Sequence, residues 1–242
     1  MARKKLQLFL SGSRSYIDRI IGSAPLVYFP LNETAGTTAN NLGTLDTAAN
    51  GIYTGVDLAD TPAPGGGRAP FFDGTNDYVN IYSTALRDAF DGDEGSKMIW
   101  MKVANAGVWT DAKVRAGIRL YADGSNRMHI AKRSQVYETA FYYQTGGAVN
   151  LLVHSTSDVN WICYVMTWKV GAGGGVYGYY NGIEFDNLGP IANSFAGSLH
   201  ASNCCIGSYD VTLSNPWHGW LAHGAVWDRV LTPTEVARLA EV

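Results

Sequence analysis

The sequence predicts an all-β protein, a sandwich of short strands, on three observations. Glycine supplies 28 of the 242 residues, about 12% against a usual ~7%. Beside it stand 14 Tyr, 7 Trp and 8 Phe, so turn formers and strand formers are enriched together, as short strands joined by tight turns require. The length suits one such unit, since all-β sandwiches often run to about 200–250 residues as single domains. A chain of this size buries around 70% of its unfolded surface and needs no disulfide or metal to fold. The same composition argues against a helical bundle.

Residues 1–22 read as a basic arm with a short helix, ahead of one domain over residues 23–242. Arg3, Lys4 and Lys5 form a three-charge cluster that suits an acidic neighbour. Ser15 to Gly22 reads as a helix, with Ser15 at the N-cap, Asp18 at the positive end and Gly22 at C′. Tyr16, Ile17, Ile20 and Ile21 share one face, which must pack on the chain's own domain or on a partner. With Arg3, Lys4 and Lys5 they are the candidate assembly residues, and a homo-oligomer is expected.

From Pro25 onward the signals are those of strands. Leu26-Val27-Tyr28-Phe29 is an apolar run. Tyr78 to Tyr82 alternates, with Val79 and Ile81 on one face and Tyr78, Asn80 and Tyr82 on the other. Met98 to Val103 reads as a strand buried on both sides. Ile118–Ala122 and Met128–Ala131 flank Asp123-Gly124, a hairpin signal, and Asn181-Gly182 gives another between Tyr177–Tyr180 and Ile183. Trp161–Trp168 and Leu221–Trp227 complete the strand list. Asp60–Pro70 and Lys169–Gly175, rich in Pro or Gly, read as loops. The chain closes on a helix in which Thr232 is the N-cap, Pro233 is N1 and Glu235 is N3, with Val236, Leu239 and Ala240 as its apolar stripe.

Several functions are excluded or disfavoured at this level. Eighteen Lys+Arg against 21 Asp+Glu give a net charge of −3, which does not suit a nucleic-acid binder. No stretch approaches the ~18 apolar residues of a membrane span. The apolar run Leu6–Leu10 is too short for the ~7–15-residue core of a signal peptide. The protein is therefore expected to be made in the cytoplasm without a signal peptide. Cys163, Cys204 and Cys205 are odd in number and include a vicinal pair, which reads as reduced thiols. Gly173–Gly178 satisfies G-x-G-x-x-G in form, but a strand follows where a dinucleotide site needs a helix.

Four segments in order resemble the laminin-G-like, concanavalin A-like lectin/glucanase superfamily. They are Leu26 to Thr38, Phe72 to Val79, Trp161 to Trp168 with Tyr179-Tyr180-Asn181-Gly182, and Trp217 to Thr232. The resemblance implies a jelly-roll sandwich of two antiparallel sheets and a module that binds glycans or proteins. The short helix before the first strand is similar to the arrangement in modules of phage virion proteins. It implies a non-catalytic decoration, fibre or tail-associated component at the virion surface, with coat subunits or cell-surface glycans as partners. The alternative is a free-standing lectin.

Hydrolase relatives in this superfamily carry Glu-x-Asp-x-x-Glu on a strand, and the nearest approach here is Glu184-Phe185-Asp186, without the second Glu. These carboxylates follow directly on the Asn181-Gly182 turn and read as a solvated hairpin end; Glu138 is the further carboxylate to place. Calcium is the metal the resemblance implies. It needs about 6–8 oxygen ligands, and Asp73, Asn76 and Asp77 are the weak candidates beside their plain reading as turn formers. No other cofactor is expected. For sugar stacking the candidates are Trp109, Tyr121, Tyr142, Tyr143, Tyr179 and Tyr180. In Phe141-Tyr142-Tyr143 and Tyr179-Tyr180 adjacent rings point to opposite faces, so each group divides between core and surface.

Overall fold

The computed structural model describes residues 15–242; Arg3, Lys4 and Lys5 lie outside them. The strands are β1 (Val27–Phe29), β2 (Thr38–Ala39), β3 (Gly51–Thr54), β4 (Asp57–Pro62), β5 (Arg68–Asp73), β6 (Tyr78–Asn80), β7 (Glu94–Val103) and β8 (Arg115–Asp123). They continue with β9 (Asn126–Lys132), β10 (Glu138–Thr145), β11 (Ala148–Ser155), β12 (Ile162–Lys169), β13 (Gly175–Tyr180), β14 (Ile183–Leu188), β15 (Cys205–Ile206) and β16 (His218–Trp227). The helices are α1 (Tyr16–Ile21), α2 (Thr84–Ala89) and α3 (Pro233–Leu239). Two antiparallel sheets result. One runs β14-β13-β12-β7-β16-β5-β4, with β1 also paired to β16; the other runs β11-β10-β9-β8-β15-β6-β3-β2. The first and last strands are neighbours, Val27 pairing with Val226, in a jelly-roll sandwich. Among the described residues no helix is long and apolar enough to cross a membrane.

Period-two alternation sets the layers. On β7, Ile99, Met101 and Val103 point between the sheets and join a core with Ile118, Leu120, Met128, Ile130 and Phe141. Met98 and Trp100 point outward yet are buried, because α1 and α3 lie over them. Tyr16 and Ile20 of α1, with Val236 and Leu239 of α3, make this second apolar layer. That is the physical reason the segment reads as buried on both sides. We call this the helix-covered sheet and its partner the open sheet.

The layer corrects the assembly reading at two positions. The Tyr16 hydroxyl donates to Leu239 O and accepts from Trp100 Nε1, both at 2.6 Å, and Ile20 is wholly buried. Covering a large apolar side chain is worth roughly 1.5–3 kcal/mol, so Tyr16 and Ile20 are committed to their own domain. Ile17 is half-buried and Ile21 exposed.

The local signals are read out in detail. Ser15 accepts from Asp18 N at 3.1 Å. Gly22, however, is right-handed (φ −64°), and the reversal falls at Ala24 (φ 55°). The cause is a tightened last turn, in which Ser23 N and Ala24 N donate to Ile20 O and Ile21 O. Thr232 and Glu235 form the reciprocal capping box, with Pro233 inside the first turn. Asn181 (φ 47°) and Gly182 (φ 83°) are both left-handed, as a two-residue type I′ turn demands.

Asp60–Pro70 is not the loop expected. It folds largely into the β4–β5 hairpin, with Thr61 paired to Ala69 and Pro62 to Arg68. Pro62 is tolerated because β4 is an edge strand, where a missing N–H costs no ladder bond.

Candidate functional site

On the open sheet, Leu120, Met128, Ile130, Phe141 and Tyr143 fill the core, so the alternate residues of β8, β9 and β10 face outward. Pairing puts them in rows: Arg119 opposite His129, His129 opposite Tyr142, and Tyr142 opposite Leu151. A parallel row sets Tyr121 against Arg127 and Arg127 against Gln144. Cross-strand neighbours of this kind lie within side-chain reach.

The side chains interlock into a rigid platform. His129 stacks on Tyr142 with centroids 4.6 Å apart and planes 7° from parallel. Tyr209, carried over the sheet by the segment after β15, lies 4.7 Å from the same imidazole. The Arg119 guanidinium sits between Tyr121 and Tyr209, at 4.4 and 4.7 Å from their centroids, and donates to Tyr209 O at 2.9 Å. Arg127 lies over Tyr142 and donates to Gln144 Oε1 at 2.8 Å; the Tyr142 hydroxyl donates to the same oxygen at 2.9 Å.

Beside this platform a recess of about 270 Å³ opens in the sheet. Ala131 and Ala140, paired across β9 and β10, are its small residues, and their short side chains leave depth between His129, Tyr142, Tyr209 and Leu151. One buried polar atom of the recess, His129 Nδ1, has no hydrogen-bond partner among the described residues, nor has Arg119 Nε on the neighbouring strand. Burial first, then the charges of Lys97, Arg119 and Arg127, hold the His129 imidazole well below its usual range, so it is neutral at pH 7. The guanidinium groups of Arg119 and Arg127 beside one neutral ring give the platform a positive potential.

The structure sorts the candidate stacking residues. Tyr121 and Tyr142 stand together on this face, half-exposed. Trp109 and Tyr143 are corrections. Trp109 is 1% exposed with its indole donating to Asp158 O, and Tyr143 is 0% exposed with its hydroxyl donating to Gly92 O. Tyr179 is a third, packed in the layer under the helices. Tyr180 is half-buried at the sandwich edge, stacked 4.2 Å from His154, away from the platform. His129, Arg119, Arg127 and Tyr209 were not singled out from the sequence. Alternation along β8 and β9 carried a signal for the first three, but nothing local brings Tyr209 to them.

The acidic candidates fall elsewhere. Glu138 lies on the open sheet, ion-paired with Arg133, whereas Glu184 and Asp186 stand exposed on β14 at the edge of the helix-covered sheet. Glu184 borders a cleft of about 640 Å³, along with Glu94, whose carboxylate is paired to Lys169 at 2.6 Å. Asp73, Asn76 and Asp77 serve their turn. Asp73 Oδ1 accepts from Thr75 N at 2.7 Å, and Asp77 Oδ2 accepts from Asp73 N at 2.6 Å. Among the described residues no group of three or more His, Cys, Asp and Glu is placed to hold a metal ion.

The sequence matches the family described as the concanavalin A-like lectin/glucanases superfamily, in its laminin G form, over residues 73–237. No curated protein sequence matches it. Among solved structures it is similar to domain 4 of AbnA, a GH43 extracellular arabinanase from Geobacillus stearothermophilus, in complex with arabinotriose. The identity is 13% and the TM-score 0.62, covering 90% of this chain and 98% of that one. It is similar also to the ligand binding domain of botulinum neurotoxin serotype D in complex with N-acetylneuraminic acid (10% identity, TM-score 0.64, 94% and 52% covered). A third is Trypanosoma rangeli sialidase in complex with sialic acid (10%, 0.64, 90% and 33%). The chain thus spans about half of the toxin domain and a third of the sialidase. At such identities the likeness concerns the jelly-roll fold.

Proposed function

The chain belongs to the concanavalin A-like lectin/glucanases superfamily, and from that premise we propose that it is a non-catalytic carbohydrate-binding module. One observation carries the reading: a recess flanked by the stacked His129–Tyr142 pair and Tyr209, with the guanidinium groups of Arg119 and Arg127 on the adjoining platform. An apolar C–H face of a sugar packs on the rings, while hydroxyl oxygens meet His129, Arg119 and Arg127. A concave, partly apolar surface with a few fixed polar groups is what small-ligand recognition needs. Because the platform is locked by its own contacts, little ordering cost falls on binding.

The reading invokes no metal and no catalytic carboxylate pair. Hydrolysis needs two carboxyl groups flanking one bond, about 5–9.5 Å apart; Glu138 stands on the other sheet from Glu184 and Asp186, and Glu94, which shares the large cleft with Glu184, is paired to Lys169. The virion role expected from the sequence leans on Arg3 to Lys5, outside the described residues, and on a helix face of which Tyr16 and Ile20 are already used.

The test is binding of labelled protein to an array of immobilised glycans, comparing the native chain with Tyr142→Ala and Arg127→Met. We expect a defined set of glycans to be retained, with affinity lowered about tenfold in Tyr142→Ala, the equivalent of ~1.4 kcal/mol of lost stacking. Absence of any bound glycan, or binding untouched by both substitutions, would sink the proposal.

A further inference from the structure

The helix-covered sheet carries a second aromatic surface at the margin of the layer that α1 and α3 cover. Trp220 of β16 pairs with Phe71 of β5 on one side and Lys102 of β7 on the other. Trp161, directly before β12, extends this row, because the next residue, Ile162, pairs with Met101. Trp100 shares the face of Lys102, two residues along β7. Here a cleft of about 530 Å³ is lined by Trp100, Lys102, Trp161, Asn181 and the Pro62–Pro64 turn of the β4–β5 hairpin.

The polar groups of this cleft are divided in a telling way. Each indole N–H is already satisfied: Trp161 donates to Pro62 O at 3.1 Å, Trp220 to Asp60 Oδ2 at 2.6 Å and Trp100 to the Tyr16 hydroxyl at 2.6 Å. The rings are therefore fixed by their edges, and Trp161 and Trp220 remain half-exposed. Asn181 spends its carbonyl oxygen on Cys163 N at 2.9 Å, which leaves its amide NH2. Lys102 lies 4.9 Å from the Trp220 centroid and pairs with no carboxylate among the described residues. What faces a ligand is thus π-surface, the side-chain amides of Asn160 and Asn181, and the ammonium of Lys102.

We propose that this cleft is a second saccharide site, separate from the recess on the open sheet, and that it takes a uronic acid unit of a glycan. The C–H face of the pyranose stacks on Trp161, a hydroxyl accepts from Asn181 and the carboxylate meets Lys102. Charge complementarity favours the acidic sugar, since the Lys102 ammonium makes no ion pair among the described residues, and its position over the Trp220 ring directs it into the cleft. With sites on opposite outer faces, one molecule can hold two glycan strands. This inference does not depend on the recess being a sugar site.

The experiment uses the full chain labelled with nitrogen-15 and follows indole N–H resonances, assigned by single Trp→Phe variants. The probes are D-glucuronate, D-galacturonate and uncharged methyl glucoside. Saturable shifts of the Trp161 and Trp100 signals with a uronate are expected, unchanged in Tyr142→Ala and weakened about tenfold in Lys102→Met. Trp161→Ala should abolish the Trp100 response, with retained spectral dispersion as the check of folding; if that variant unfolds, Lys102→Met carries the test. No saturable shift with either uronate overturns the site. Equal response to methyl glucoside, unaffected by Lys102→Met, overturns the assignment to acidic sugars.

Discussion

His223 offers a sharp test of how the helix-covered face is held. It sits at the register shift of β16 with φ 53°, 1% exposed. Its Nδ1 lies 2.8 Å from the Tyr28 hydroxyl and its Nε2 2.8 Å from Pro64 O. Pro64 O can only accept, so Nε2 carries the proton and Nδ1 accepts from Tyr28. The ring also meets Tyr16 edge-on at 4.8 Å, so one imidazole joins α1, β1 and the β4–β5 hairpin. Burial lowers its pKa from 6.5 to about 4, only partly offset by the bond to Pro64. The unfolded chain therefore binds the proton first as pH falls. The neutral form's contribution is fully present above pH 6.5 and is lost progressively down to pH 4. A gap of that size between the folded and unfolded chains corresponds to about 3 kcal/mol, since a tenfold difference in proton affinity is worth about 1.36 kcal/mol. Urea denaturation at half-unit steps from pH 7 to pH 4 reads it directly. His223→Gln should start less stable at pH 7 but lose about 1 kcal/mol less per pH unit across the window. Parallel acid limbs for the two proteins would refute the argument, because other histidines titrate in both.

Two further perturbations follow from buried charge. Lys97 points into the core from β7, opposite Met166 and Val226, and its ammonium nitrogen has no hydrogen-bond partner among the described residues. Burial, then the charge of Arg119, push its pKa well below the usual value. Lys97→Met should stabilise the fold by about 1–3 kcal/mol at pH 7. The gain should shrink as pH rises toward 10.5, where the unfolded lysine also loses its proton. A variant no more stable than the native chain in thermal melts would contradict this. Asp111 bridges Arg115 and wholly buried Lys132, each at 2.6 Å. Burial would raise its carboxyl, but hydrogen bonds from Lys132, Lys113 N and Arg115 override it and hold the group below its usual range. Asp111→Ala strands a buried ammonium and should cost about 3–5 kcal/mol in urea denaturation. A loss under ~1 kcal/mol would mean that Lys132 keeps its charge satisfied without Asp111.

How much was legible in the sequence follows the range of the forces involved. The hairpin at Asn181-Gly182 and the capping box at Thr232 depend on bonds within three or four residues, and both stand where their residues place them. The β10–β11 hairpin was available through its Gly146-Gly147 turn, in which both residues take positive φ, but the strands it joins carry no clean alternation. Asp60–Pro70 misled because proline and glycine mark a tight hairpin as readily as a loop, and only the neighbour β5 decides between them.

What the sequence determined by itself is the all-β class, the order of the strands it singled out and the outward or inward division of rings within Phe141-Tyr142-Tyr143. Alternation guarantees that Tyr142 and Tyr143 part company. Which of the two meets solvent is a question of phase, and strand phase is set by what lies across the sheet. Tertiary structure alone brought Tyr209 onto His129, carried Trp161 and Trp220 into one row with Lys102, and laid α1 over Trp100 so that Tyr16 became core. These placements rest on pairings across many tens of residues. Such contacts gain free energy only once the whole sandwich has closed, so no local stretch of the chain records them.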